Sequence, residues 1–332
     1  MIYVLGSLNT DLVFDVPYMP RGGETLAANS FGVFYGGKGA NQAAALAKLS
    51  SAVKMIGAVG RDGFGEAMIK NLTAYGADCS NVVKRGEDSG LAGILVENGE
   101  NRIILSAGAN GRLTNADADA GLAGAKAGDI LLTQLEVPAA VVAHALKTAK
   151  ARGLITVLNP APAKPLDAGI YRYVDIITPN ESETLILTGT DPADAESIEA
   201  AINKFYSFGV RAAVITLGSR GSAVGAGTFS TDGGGAGSDA VDGQGAEVFS
   251  TDGKCAGSGV TLIPARRVKA VDTTAAGDTY VGALCNRLER GFNIVDACRF
   301  ATIASSLTVQ KRGAAESIPN INEVESIYKG QP

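Results

Sequence analysis

Three consecutive segments decide the fold: Ile130-Leu-Leu132, then Pro138-Ala-Ala-Val-Val-Ala-His-Ala-Leu-Lys-Thr-Ala-Lys-Ala-Arg152, then Ile155-Thr-Val-Leu158. The outer two are short and nearly all apolar, as strands covered on both faces are. In the middle one, Val141, Val142, Ala145, Leu146 and Ala149 recur at helical spacing and form one apolar stripe. Strand, helix and strand in that order join parallel neighbours. The same rhythm runs outward in both directions. Strands are expected at Ile2–Leu5, Val53–Ile56, Asp175–Thr178, Ala213–Leu217 and Val260–Ile263, and helices at about 39–50, 65–75, 194–208, 278–290 and 294–310. The expected fold is α/β, a mainly parallel sheet flanked by helices, as a single domain over residues 1–332.

Three segments break the rhythm. In 11–35 and 89–105 the short strands Leu12–Val16, Leu91–Glu97 and Arg102–Leu105 follow one another without a helix, with a hairpin signal at Asn98-Gly99. They predict a small antiparallel β-sheet set apart from the main one, a lid. The third segment, 225–259, is glycine-rich and nearly repeats itself, Phe229-Ser-Thr-Asp232 returning as Phe249-Ser-Thr-Asp252. Its Gly234–Asp239 matches one calcium-binding β-roll unit, but that architecture needs several stacked copies, so a flexible surface insertion is expected.

Composition narrows the function. With 332 residues, 46% hydrophobic and 19% charged, the chain can bury a full core. A net charge of −5 argues against a nucleic-acid surface, which needs clustered Lys and Arg. No long apolar run suggests a membrane span. The amino terminus reads as a strand with no basic leader, and the four cysteines are scattered, so a cytoplasmic protein with reduced thiols is expected. A single histidine, His144, lies in the apolar helical pattern, so a general base here should be a carboxylate or a lysine.

Five motifs carry chemistry. Gly36-Gly-Lys-Gly-Ala-Asn-Gln42 is a tight turn into a helix, where glycines admit a ligand close to the backbone and the first N–H groups are unpaired. It approaches a Walker A loop, but Gly39 stands where the magnesium-binding hydroxyl belongs. Asn9 and Asp11 are two apart on an extended segment, so an amide and a carboxylate face one spot and can hold vicinal hydroxyls. In Ala270-Val-Asp-Thr-Thr-Ala-Ala-Gly-Asp-Thr279, the small residues Ala275, Ala276 and Gly277 open a helix and offer an anion hole. Asp278 in that first turn is placed to take a proton from an attacking hydroxyl. Thr178-Pro-Asn-Glu-Ser-Glu183 and Thr216-Leu-Gly-Ser-Arg-Gly221 follow strand ends, where α/β sheets bind ligands.

With Gln134-Leu-Glu136 and Leu158-Asn-Pro-Ala-Pro-Ala163, these motifs occur in the order found in the ribokinase (PfkB) family of sugar kinases, which the chain resembles everywhere except 225–259. The resemblance implies sugar contacts at Asn9, Asp11, Gly37, Asn41 and Glu136, with Lys38 in the same loop and Asp278 as the base. It implies an anion hole at Ala275, Ala276 and Gly277, and ATP contacts at Asn180, Thr216, Gly218, Ser219, Gly221, Gly277 and Thr302. Mg²⁺ would accompany ATP, with Glu183 acting on it indirectly. An activating K⁺ would be held at Asp272, Thr274, Thr308, Lys311, Gly313 and Ser317, mostly through backbone carbonyls. The implied reaction is ATP-dependent phosphorylation of D-ribose at O5. Asn9 favours ribose over 2-deoxyribose, because an amide there can pair with the 2-hydroxyl. A kinase for another sugar or nucleoside remains an alternative, since Phe14, Phe31, Phe34 and Tyr35 lie in the lid, as does a catalytically silent sugar-binding regulator. Family lids pair, which implies a homodimer.

Overall fold

A computed structural model describes residues 1–164, 166–226 and 259–329. Among them, nine strands form the main sheet in the order β13-β12-β11-β10-β9-β8-β1-β4-β5. From β5 (Asp78–Lys84) through β4 (Val53–Val59), β1 (Ile2–Leu5), β8 (Ile130–Thr133), β9 (Ile155–Leu158), β10 (Ile176–Ile177) and β11 (Ala212–Thr216), every pairing is parallel. The last two strands, β12 (Ser222–Ala226) and β13 (Val260–Ile263), are antiparallel.

Alternation along each strand builds two cores. Ile2, Val4, Ile130 and Leu132 point into one, while Tyr3, Leu5 and Leu131 point into the other. The first is covered by α1 (Lys38–Lys48), α2 (Gly63–Ala74), α7 (Ala276–Glu289), α8 (Ile294–Thr308) and α9 (Ile321–Tyr328). The second is covered by α3 (Asn115–Gly121), α4 (Ala139–Ala151) and α6 (Ala195–Ser207). The stripe Val141, Val142, Ala145, Leu146 and Ala149 is the buried face of α4, and His144 beside it pairs with Asp119 of α3 at 2.7 Å. Among the described residues no helix is long and apolar enough to cross a membrane.

The smaller sheet contains β3 (Ser30–Gly36), β2 (Asn9–Asp15), β6 (Gly90–Glu97) and β7 (Glu100–Ser106). Its outer pairs are antiparallel, but β2 and β6 in the middle are parallel. Both strands leave the main sheet shortly after one of its strand ends, so they enter the smaller sheet in the same direction. Of the insertion at 225–259, residues 227–258 lie outside the described residues, and Gly225 and Ala226 belong to β12.

One contact sets the site. Helix α7 lies against α1, and a Cβ placed on Gly282 would come within 2.7 Å of the Ala45 Cβ. Gly282 therefore lets the helices approach and brings the first turn of α7 to the start of α1. Gly282→Val is expected to cost about 1–3 kcal/mol of stability by overpacking. Urea unfolding measures this, and an unchanged midpoint would show that the helices separate freely.

Candidate active site

The amino-terminal ends of α1 and α7 converge. Gly37 caps α1 at φ +86°, and a Cβ on it would meet the Asn9 backbone nitrogen at 2.8 Å, so only glycine fits this close approach. The turn thereby presents Asn41 and Gln42 to Asp278. Asn41 Nδ2 donates to Asp278 Oδ2 at 3.1 Å and Gln42 Nε2 to Asp278 Oδ1 at 3.0 Å. Asp278 is buried, in the first turn of α7. Residue 275 takes a left-handed conformation, φ +59°, unusual for alanine, and turns the chain into the helix. The Ala276 N–H donates to the Thr273 carbonyl at 3.2 Å. Among the described residues, no protein acceptor is seen for the Gly277 and Asp278 N–H groups, which leaves them to an anion at the positive end of the helix.

Asn9 and Asp11 share one side of β2. Asn9 Oδ1 accepts from Asn110 Nδ2 at 2.8 Å, so the Asn9 amide nitrogen is the donor available to a ligand. Asn110 also exchanges hydrogen bonds with the Leu8 backbone, at 3.0 and 2.9 Å. Asp11 approaches Asn41 across Gly36. Burial, reinforced by Glu136 and Glu316, pushes the Asp11 carboxyl up to about 7. Glu136 accepts from the Ser7 hydroxyl at 2.5 Å and the Lys38 N–H at 3.1 Å. Burial alone would push the Lys38 ammonium down, but Asp278, Glu136 and Glu183 face it and hold it above its ordinary value. These seven residues, Asn9, Asp11, Gly37, Lys38, Asn41, Glu136 and Asp278, thus form one neighbourhood.

A cavity of about 690 Å³ lies on the other side of the α7 terminus. Asn180, Thr216, Gly218, Ser219, Gly221, Gly277 and Thr302, all expected at a nucleotide site, line it together. Asn180 and Glu183 cap α5 (Glu181–Thr188) reciprocally, the Glu183 N–H donating to Asn180 Oδ1 at 2.8 Å and the Asn180 N–H to Glu183 Oε2 at 2.9 Å. Burial raises the Glu183 carboxyl against the opposing pull of the Asn180 N–H and Lys38. The segment Ala265–Val268 and Tyr280 also line this cavity. No sequence pattern marks Ala265–Val268, because a strand-exit segment of this kind carries no period, and Tyr280 reads as an ordinary position of the helix α7.

A second cavity, about 680 Å³, opens beneath the smaller sheet and meets the first at Ala270 and Thr273. It brings Asp11 together with Asp272, Thr274 and Gly313. Asp272 Oδ1 accepts from the Thr274 N–H and hydroxyl at 2.9 and 2.7 Å, and Oδ2 from the Gly313 N–H at 3.0 Å. Burial opposes Asp272 ionisation, yet these donors and Arg312 hold its carboxyl below the usual range. Three of the other expected cation-site side chains are engaged elsewhere: Thr308 with Thr279 at 3.0 Å, Lys311 with Glu323 at 2.8 Å and Ser317 with the Ala314 carbonyl at 2.7 Å. Only their backbone groups remain for an ion. Lys48 ties this loop to α1, its Nζ donating to the carbonyls of Ala315 and Ile318 at 2.6 and 3.0 Å.

Residues 1–321 match the model of the pfkB family carbohydrate kinases. The chain is 41% identical to a ribokinase of Schizosaccharomyces pombe, covering 98% of this chain and 97% of that protein. A ribokinase of Haemophilus influenzae is 37% identical over 96% and 95% of the two chains. The structure of Arabidopsis thaliana ribokinase complexed with ribose and ATP superposes with a TM-score of 0.84 at 28% identity, covering 99% of each chain.

The Asp11 environment has a measurable consequence. Between 3.8 and about 7 the folded protein holds a proton on Asp11 that the unfolded chain has released. This group's contribution to stability therefore falls as pH rises through that window. Without ligand, Asp11→Asn should gain stability relative to the parent as pH is raised across the window, and lose that advantage below it. Parallel melting curves at several pH values check this, and a pH-independent difference would contradict the burial of that carboxyl.

Proposed function

Because this chain belongs to the pfkB family of carbohydrate kinases, we propose that it transfers the γ-phosphoryl group of ATP to the O5 hydroxyl of D-ribose. The observation that carries the reading is the place of Asp278. Asn41 joins its carboxylate to the Asp11 side, while its neighbour Gly277 lines the cavity of Asn180 and Thr216.

In this reading Asn9 and Asp11 hold vicinal hydroxyls of the sugar, the amide as donor and the carboxylate as acceptor. Asp278 takes the O5 proton as O5 bonds to the γ-phosphorus, and the bond from that phosphorus to ADP breaks. Of the anion hole expected at Ala275, Ala276 and Gly277, the Ala276 N–H is engaged by the Thr273 carbonyl, so in this reading the N–H groups of Gly277 and Asp278 receive the charge that develops on the transferred group. Lys38, facing Asp278 and Glu183, adds a positive charge between the two ligands. Thr302 and the Thr216–Gly221 turn hold the nucleoside. Among the described residues, no group of three or more His, Cys, Asp or Glu gathers to hold a metal ion. Mg²⁺ accompanying ATP would supply charge neutralisation there, and Glu183, near Lys38 and Asp278, is the carboxylate that would act on it indirectly. Asp272, Thr274 and Gly313, with the backbone of Thr308, Lys311 and Ser317, suit a monovalent cation, K⁺, next to the anion hole.

Ribose is favoured over 2-deoxyribose because Asn110 fixes the Asn9 amide as a donor that the deoxy sugar would leave unpaired. ADP release with ribose, 2-deoxyribose, fructose and adenosine, with and without K⁺, tests the assignment. Turnover with ribose, raised by K⁺, is expected, and turnover on adenosine alone would overturn the Asn9 reading. Asp278→Ala should keep ribose binding and lose about 10²–10⁴-fold in kcat; full activity would remove Asp278 as the base, and silence of the parent on every acceptor would favour a sugar-binding regulator.

The smaller sheet serves in this reading as a lid, and one of its faces leaves Phe14, Phe31, Val33 and Ile104 exposed. A second copy of the chain covers that face in the homodimer we propose. Light scattering should give twice the chain mass, and Ile104→Glu should shift it toward monomer; a monomeric parent would refute the pairing.

A further inference from the structure

Behind Asp278 lies a string of buried amides that phosphoryl transfer leaves without a task. Gln42 follows Asn41 on α1 and is fully buried. Its Nε2 donates to Asp278 Oδ1 at 3.0 Å and to Asn159 Oδ1 at 3.1 Å, while its Oε1 accepts from Gln134 Nε2 at 2.6 Å. Asn159 Nδ2 passes the string on to the Thr178 carbonyl at 2.8 Å. Gln134 follows β8 and Asn159 follows β9, so two adjacent strand ends of the main sheet hold Gln42 from behind.

An amide side chain offers two N–H donors and one oxygen. Gln42 engages all three functions, so a single orientation satisfies it. Turning the amide over would set its oxygen against both the Asp278 carboxylate and the Asn159 oxygen, an arrangement of acceptors facing acceptors that is costly where no water reaches. Gln134 closes the other end, because its own Nε2 can donate only to an oxygen. The string therefore delivers one fixed N–H to one fixed oxygen of Asp278, while Asn41 holds the other oxygen.

We propose that Gln42, locked by Gln134 and Asn159, is a positioning residue that fixes the plane of the Asp278 carboxylate so that it meets the acceptor hydroxyl of the sugar. This rests on the reading of Asp278 as the base. Gln42 is neutral, and the charged groups facing Asp278 are Lys38 and Glu183. Its action is therefore directional and distinct from theirs. A misaimed base slows the chemical step while leaving ribose and ATP contacts in place.

The test measures kcat, the KM values for ribose and ATP, the pH profile of kcat and the melting temperature for Gln42→Met, Gln42→Glu, Gln134→Met and Asp278→Asn beside the parent. Gln42→Met should lower kcat about 10- to 100-fold, the kinetic equivalent of one hydrogen bond to a charged group. Both KM values should stay within about threefold of the parent. Gln134→Met, which leaves the Gln42–Asp278 bond but unlocks it, should lower kcat in the same direction and less. Gln42→Glu sets a second carboxyl against the base and should move the acid limb of the kcat profile to higher pH. Parental kcat in Gln42→Met or Gln134→Met, or a loss carried by KM, would overturn the proposal. If Gln42→Met fails to fold, Gln134→Met and the unmoved or moved acid limb of Gln42→Glu decide it. An active Asp278→Asn would instead bring down the base assignment, which separates the two failures.

Discussion

The contact between α1 and α7 is the constraint on which the rest of the site depends. It joins residues more than 230 positions apart, Asn41 and Gln42 on one helix and Asp278 on the other. Gly282 allows it, since any side chain there would meet Ala45. Each helix then contributes its amino-terminal end, so unpaired N–H groups, a glycine turn and a buried carboxylate come to one place. Neither helix makes a site alone: α1 supplies amides with nothing to orient, and α7 supplies a carboxylate with nothing to aim it.

Charge is concentrated there on a small scale. Glu136, Glu183 and Asp278 face one ammonium, Lys38, and Asp11 feels Glu136 from the other side of the neighbourhood. Burial and the neighbouring carboxylates Glu136 and Glu316 raise Asp11, burial raises Glu183, and Asp278, Glu136 and Glu183 raise Lys38. Perturbation of this kind gathers where ligands bind, because folding alone gains nothing from burying like charges. The two cavities meeting at Ala270 and Thr273 follow from this layout, one opening on Asp11 beneath the smaller sheet and the other on the strand-exit loops.

Much of this is legible in the order of the residues. Strands read from apolar runs such as Ile130–Leu132, and α4 read from its stripe, because burial on two faces or one leaves its period in neighbouring residues. Elements without such a period were silent. Among these, β5 is a half-buried edge strand, Asp-Cys-Ser-Asn-Val-Val-Lys, and α3 is too short to show a stripe; the strand expected at Asp175–Thr178 is present but keeps only Ile176 and Ile177 as β10. Motif residues at strand exits and helix starts were legible as well, since glycines and acids at those places are tied to local geometry.

The sequence by itself determined the α/β architecture, the smaller sheet set apart and the strand ends at which chemistry gathers, because each is written in residues a few positions apart. Tertiary structure alone decided which groups meet. That Asn110 turns the Asn9 amide, that Gln134 and Asn159 lock Gln42, that β2 and β6 run parallel, and that the side chains of Thr308 and Lys311 are engaged away from Asp272 all depend on contacts between segments separated along the chain. Such contacts are settled by how two cores pack around one sheet, and a chain's local periodicity carries no record of them.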